Sequence, residues 1–97
     1  MTLQNKTYKM KTMANWKTLI DEAMESVGET LDDLVSNTLT ESEMEEEFSN
    51  GFGRVYSKPF TAWSENTVYF PICYDGMTWA GSVSRHPDGL STEHQGR

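Results

Sequence analysis

The chain has 97 residues, 15 acids against 8 bases for a net charge of −7, and a single cysteine. That length supports one domain with a modest core. Cys73 alone excludes an intrachain disulfide. With no run of 18 apolar residues and no signal-peptide core, neither a membrane span nor secretion is expected, and a reducing cytoplasm is the simplest setting.

The charge is unevenly spread. Residues 1–14 hold Lys6, Lys9 and Lys11 and no acid, whereas residues 15–50 hold eleven acids and only Lys17. Residues 51–97 are neutral. An acidic face repels nucleic acid and anionic membrane and attracts basic surfaces, including those that ordinarily hold nucleic acid. Residues 1–13 read as a flexible basic arm, 14–50 as an acidic helical part, 51–83 as an antiparallel sheet and 84–97 as a loop or tail.

In "NWKTLIDEAMESVG", 15–28, the residues Trp16, Leu19, Ile20, Ala23, Met24 and Val27 fall on one helical face. Asn15 is the expected N-cap and Gly28 the stop. Asp21, Glu22, Glu25 and Glu29 occupy the other side. Asp21 and Glu25 stand at i,i+4, a like-charge spacing that costs a few tenths of a kcal/mol, so stability is no reason for it. A second short helix is expected after Thr30, with Asp33 completing a capping box, Asp32 beside it, and Leu31, Leu34 and Val35 as its apolar side. A third is expected over 41–49, capped by Thr40 and Glu43. There Leu39 and Met44 form a hydrophobic staple and Phe48 points inward. Glu41, Glu45, Glu46 and Glu47 are left in water.

After "NGFG", 50–53, the pattern changes to sheet. Asp75-Gly76 is a type I′ turn signal between two β-rich runs. A two-residue loop pairs Tyr74 with Met77, Ile72 with Trp79, Phe70 with Gly81 and Val68 with Val83, all on one apolar face. Pro71 suggests an edge strand or a bulge, and Pro59 a bend in the preceding strand. The expected fold is α+β: two to three N-terminal acidic helices covering the apolar face of a C-terminal antiparallel sheet of about three strands.

Catalytic and metal patterns are weak. Cys73 reads as a small hydrophobe facing the sheet. His86 precedes Pro87 in a turn and His94 lies in the tail. One cysteine without CxxC or HxxxH spacing does not make a zinc site. Asp75-Gly76 and Asp88-Gly89 lack calcium-loop spacing, and no glycine-rich loop opens a helix. The aromatic residues read as core. No catalytic residue, metal or cofactor is expected.

The acids remain. A solvated, solubilising surface would account for them, but the excess is confined to residues 21–47. Acids at i,i+4 on a helix rise by about 6 Å per step. That is of the order of the spacing between phosphates along a DNA strand. A rigid surface at this pitch would attract a groove lined with lysine and arginine.

The stretches "MANWKTLIDEAMESVGETLDDLV", "ESEMEEEF" and "FPICYDGMTWAGSVSRHPDG" resemble prophage-encoded anti-CRISPR proteins directed against the type I-F Cascade (Csy) surveillance complex. The resemblance implies a non-enzymatic inhibitor that imitates double-stranded DNA. It would bind the basic cleft where the large subunit and its tail-side neighbour receive the PAM duplex. It would act in the cytoplasm of the infected bacterial host, touching neither nucleic acid nor membrane. The acids that match this role are Asp21, Glu22, Glu25, Glu29, Asp32, Asp33, Glu43, Glu45, Glu46 and Glu47. The alternatives are an acidic decoy for another DNA-binding enzyme (a restriction system or polymerase), a small phage structural or assembly protein, and a cysteine- or metal-dependent enzyme.

Overall fold

A computed structural model describes residues 13–50, 57–74 and 77–94 of the chain. The basic arm up to residue 12, the start of the expected sheet at 51–56, and the Asp75-Gly76 turn lie outside the described residues. Within them the architecture is α+β, with two α-helices, one 3-10 turn and two antiparallel sheets.

The first helix, α1 (Trp16–Ser26), begins where the Asn15 side chain accepts the Thr18 N–H at 2.8 Å. It ends in a Schellman arrangement, with Gly28 N–H bonded to the Glu25 carbonyl and Glu29 N–H to the Met24 carbonyl. Gly28 has φ 80°, which a residue without a Cβ adopts at little cost. This turn carries Glu29 off the helix and towards the sheet.

The expected second helix is a single 3-10 turn, Leu31–Asp33, followed by strand β2 (Leu34–Asn37). The capping interaction forms, with the Asp33 carboxylate accepting the Thr30 N–H at 2.8 Å. Propagation fails because Leu34 and Asn37 pair with the later strand β4 (Ala62–Ser64), which supplies the backbone partners a helix would have supplied. A short apolar run fits either element, and tertiary pairing decides.

Helix α2 is also shorter than expected, Glu41–Glu45 rather than 41–49. Its capping box is as anticipated: Thr40 Oγ1 accepts from Glu43 N–H at 3.1 Å and Glu43 Oε1 from Thr40 N–H at 2.9 Å. Leu39 and Met44 both enter the core. Glu45, Glu46 and Glu47 crowd the negative end of the helix dipole, which disfavours a further turn. Phe48–Ser49 instead forms β3, pairing with β1 (Met13–Ala14). Met13 and Ala14 are therefore strand, not arm or helix.

The main sheet has four strands, ordered β2-β4-β5-β6, with β5 at Thr67–Tyr74 and β6 at Met77–Ser84. All four expected cross-strand pairs of the β5–β6 hairpin are present. Pro71 stands beyond the two-residue β4–β5 ladder, where β5 has no second neighbour among the described residues. The Asn50 side chain closes the outer edge of β6, accepting from Thr78 N–H at 2.7 Å and donating to the Thr78 carbonyl at 3.1 Å.

The face covered by the helices is the opposite of the one expected. Trp16, Ile20 and Met24 of α1 join Ala62, Tyr69 and Ala80 in one core cluster. Trp16 packs between Phe48 and Phe60 in tilted contacts, with ring centroids 5.4 and 4.6 Å away, and donates its indole N–H to the Lys58 carbonyl. Alanines at 62 and 80 let the helix approach the sheet closely. Trp63, Val68, Phe70, Ile72, Tyr74, Met77, Trp79 and Val83 alternate with these residues and lie on the other face. Both faces are apolar enough to be a core, so alternation alone could not choose between them. Cys73, expected to face the sheet, is exposed near the end of the hairpin.

On the outer face, Phe70 and Ile72 close over Gly81. A Cβ there would collide with Ile72 Cδ1 and stand 2.9 Å from Phe70 Cε1. Gly81→Ala is expected to destabilise by about 1–3 kcal/mol through overpacking. Adding Ile72→Val, which removes the colliding methyl, should recover most of that loss. Urea midpoints at constant m-value measure both, and equal stability of Gly81→Ala and wild type would contradict the packing described.

Candidate acidic interface

The ten acids singled out by sequence fall into three physical situations. Asp21, Glu22 and Glu25 project from α1, exposed and without a partner among the described residues. Asp32 on the 3-10 turn, and Glu46 and Glu47 after α2, are likewise exposed and unpaired among the described residues. These six are free to meet a partner.

Three acids are engaged in local pairs. Lys17 reaches Glu45 at 3.3 Å across the α1–α2 contact, and Lys58 pairs with Glu43. The Lys58 hydrogen bond, with help from the Thr40 N–H, holds the Glu43 carboxyl below its usual range. Asp33 is the capping acceptor for Thr30. The shortage of bases that the sequence shows over residues 15–50 is thus partly repaired by folding, because residues distant in sequence become neighbours.

Glu29 is in a class of its own. It is half-buried, and its carboxylate accepts from Ser64 Oγ at 2.8 Å, Thr67 Oγ1 at 3.2 Å and the Tyr69 hydroxyl. Burial, reinforced by the Glu29 bond, pushes the Tyr69 phenol well above its ordinary range, so it stays protonated and donating. Glu29 ties the end of α1 to the sheet. That is a structural task which its position in a run of acids does not reveal.

Folding also adds acids that sequence reasoning did not select. Glu29, Asp32, Asp33 and Glu65 line one open cleft of about 440 Å³, together with Val35, Ser64 and Asn66, and no base lines it. Asp32 also lines the adjoining cleft with Glu41 and Lys17. The acids therefore form a band from the β4–β5 turn to α2. Glu65 carried no signal in the sequence, because it stands alone in the neutral half. Glu41 was visible as a solvated acid but not as part of a cleft.

No three described His, Cys, Asp or Glu side chains are grouped to hold a metal ion. Cys73 pairs with Thr78 near one end of the β5–β6 hairpin, while His86 follows Ser84 at the other. The six-residue run of β6 between them spans about 20 Å. His86 Nε2 lies 3.1 Å from the Glu65 carbonyl, and Arg85 donates to the Ser64 carbonyl at 2.8 Å, which pins the start of the tail to the β4–β5 turn. No described helix is long and apolar enough to cross a membrane.

No protein-family model, curated protein or solved structure matches this chain.

Proposed function

We propose that this protein is a non-enzymatic DNA mimic, which binds the basic duplex-receiving cleft of a type I-F CRISPR surveillance complex in the bacterial cytoplasm and blocks target DNA. The supporting observation is the row of exposed acids on α1, unpaired among the described residues, beside an acidic band whose α2 end is partly neutralised by Lys17 and Lys58. Carboxylates held on packed elements keep their spacing, so a basic groove binds them without ordering them first. The attraction is electrostatic and long-ranged, which favours fast association and weakens as salt rises.

The test is competition. Purified type I-F complex is mixed with this protein and labelled PAM-bearing duplex over a salt series. Displacement of duplex that fades steeply with salt is the expected result. Binding without displacement removes the mimic reading. No binding to this complex, with displacement of duplex from a restriction enzyme or polymerase, would transfer the same surface to the decoy alternative.

A further inference from the structure

The stretch after β6 has no regular secondary structure, yet it is held in place. Arg85 N–H bonds to the Asn66 carbonyl at 2.9 Å, its guanidinium Nη1 donates to the Ser64 carbonyl at 2.8 Å, and His86 Nε2 donates to the Glu65 carbonyl at 3.1 Å. Ser84 Oγ accepts from His86 N–H at 3.1 Å and donates to the His86 carbonyl at 2.7 Å. Residues 85–92 thereby form one wall of an open cleft of about 830 Å³, whose other walls are the end of α1, the β4–β5 turn and the end of β6. That volume is in the range of small-molecule sites.

Two features of the lining define a ligand. The first is charge. Lys17 and Lys58 each pair with a glutamate, but Arg85 meets no carboxylate among the described residues, although the chain carries nearly twice as many acids as bases. Its guanidinium keeps N–H groups to spare, in the planar fork that fits a carboxylate. Asp88, the acid in the lining, turns one oxygen back to the Leu90 N–H at 3.0 Å. The second feature is apolar surface. Val27 is 46 % and Leu90 79 % exposed, and both line the cleft with Val83 and Pro87. We propose that the cleft binds an organic carboxylate with an aliphatic body, the acid on Arg85 and the body against Val27 and Leu90. A dianion such as phosphate meets twice the repulsion from a chain of net charge −7, and it offers nothing to the apolar side. The walls are already bonded to one another, so binding has little to order. Arg85 is exposed, which keeps the ion pair weak and the affinity in the millimolar range.

This inference does not rest on the acidic surface being a DNA mimic. Its test is an amide NMR titration of the full chain with hexanoate, acetate, hexanol, inorganic phosphate and N-acetyl-leucine. Hexanoate should give saturable shifts at Val27, Arg85, His86 and Leu90. It should bind about fivefold or more tightly than acetate or hexanol, each of which supplies half of the contact, and more tightly than phosphate. N-acetyl-leucine carries the terminal carboxylate and aliphatic side chain of a polypeptide end. Binding tighter than hexanoate assigns the cleft to a protein C-terminus, and weaker binding assigns it to a free aliphatic acid. Arg85→Gln should reduce hexanoate to the level of hexanol, and Arg85→Lys, which keeps the charge and a donor, should restore part of the loss. Because Arg85 also holds the Ser64 carbonyl, Leu90→Ser gives an independent readout at a position that packs on little. It should weaken hexanoate about threefold and leave acetate unchanged. Hexanol or phosphate binding as tightly as hexanoate, shifts that do not saturate or that fall outside the cleft, or affinities indifferent to both Arg85→Gln and Leu90→Ser overturn the proposal.

Discussion

Glu29→Ala is expected to lower stability by about 2–4 kcal/mol, whereas Glu25→Ala, one turn earlier along the same row, should change it by no more than about 0.5 kcal/mol. The difference lies in what each carboxylate touches. Glu25 is exposed on α1. Glu29 accepts three hydroxyls from β4 and β5, and Ser64, Thr67 and Tyr69 are all buried. Ser64 Oγ keeps the Thr67 and Asn66 N–H groups when Glu29 is removed. Tyr69, with no exposed surface, loses its acceptor. A buried hydroxyl without a partner costs about 1–3 kcal/mol. Glu29→Gln retains an acceptor oxygen and should fall between. Tyr69→Phe combined with Glu29→Ala should be less damaging than the sum of the two, because they remove the two ends of one bond. Urea unfolding of the set decides, and equal effects at 25 and 29 would sink the structural role of Glu29. It follows that loss of partner binding in a Glu29 variant would say nothing about contact.

Under the proposed function, Asp21→Lys with Glu25→Lys should weaken binding to the surveillance complex by about 100-fold or more and leave the urea midpoint nearly unchanged. Both side chains are exposed and bonded to nothing described. Each reversal replaces an attraction with a like-charge contact worth up to several kcal/mol. Removing Glu43 or Glu45 should matter less, because Lys58 and Lys17 already offset those charges. The salt dependence of binding should also flatten in the double variant, as fewer counterions are released. Duplex competition measures all of this. Intact inhibition by the α1 double variant, with loss on Glu46→Lys and Glu47→Lys, would move the contact to the end of α2. Intact inhibition by both variants would remove the acids from the mechanism.

What the amino-acid sequence determines by itself is whatever is encoded within a few residues. The Asn15 cap, the Thr40–Glu43 capping box, the Gly28 stop and the β5–β6 register are short-range agreements between side chains and backbone, and all are present. Tertiary structure decides the rest. It makes residues 34–37 a strand, because β4 offers them backbone partners. It ends α2 at Glu45, where Phe48 turns in to pack at a tilt against Trp16. It chooses which of two apolar sheet faces receives α1, through alanines at 62 and 80 and a tyrosine anchored by Glu29. The acids divide in the same way. Their excess over residues 21–47 is legible in the sequence, since charge is additive along a chain. Which of them are free is not, because Lys58, Tyr69 and Glu65 reach them only through the fold.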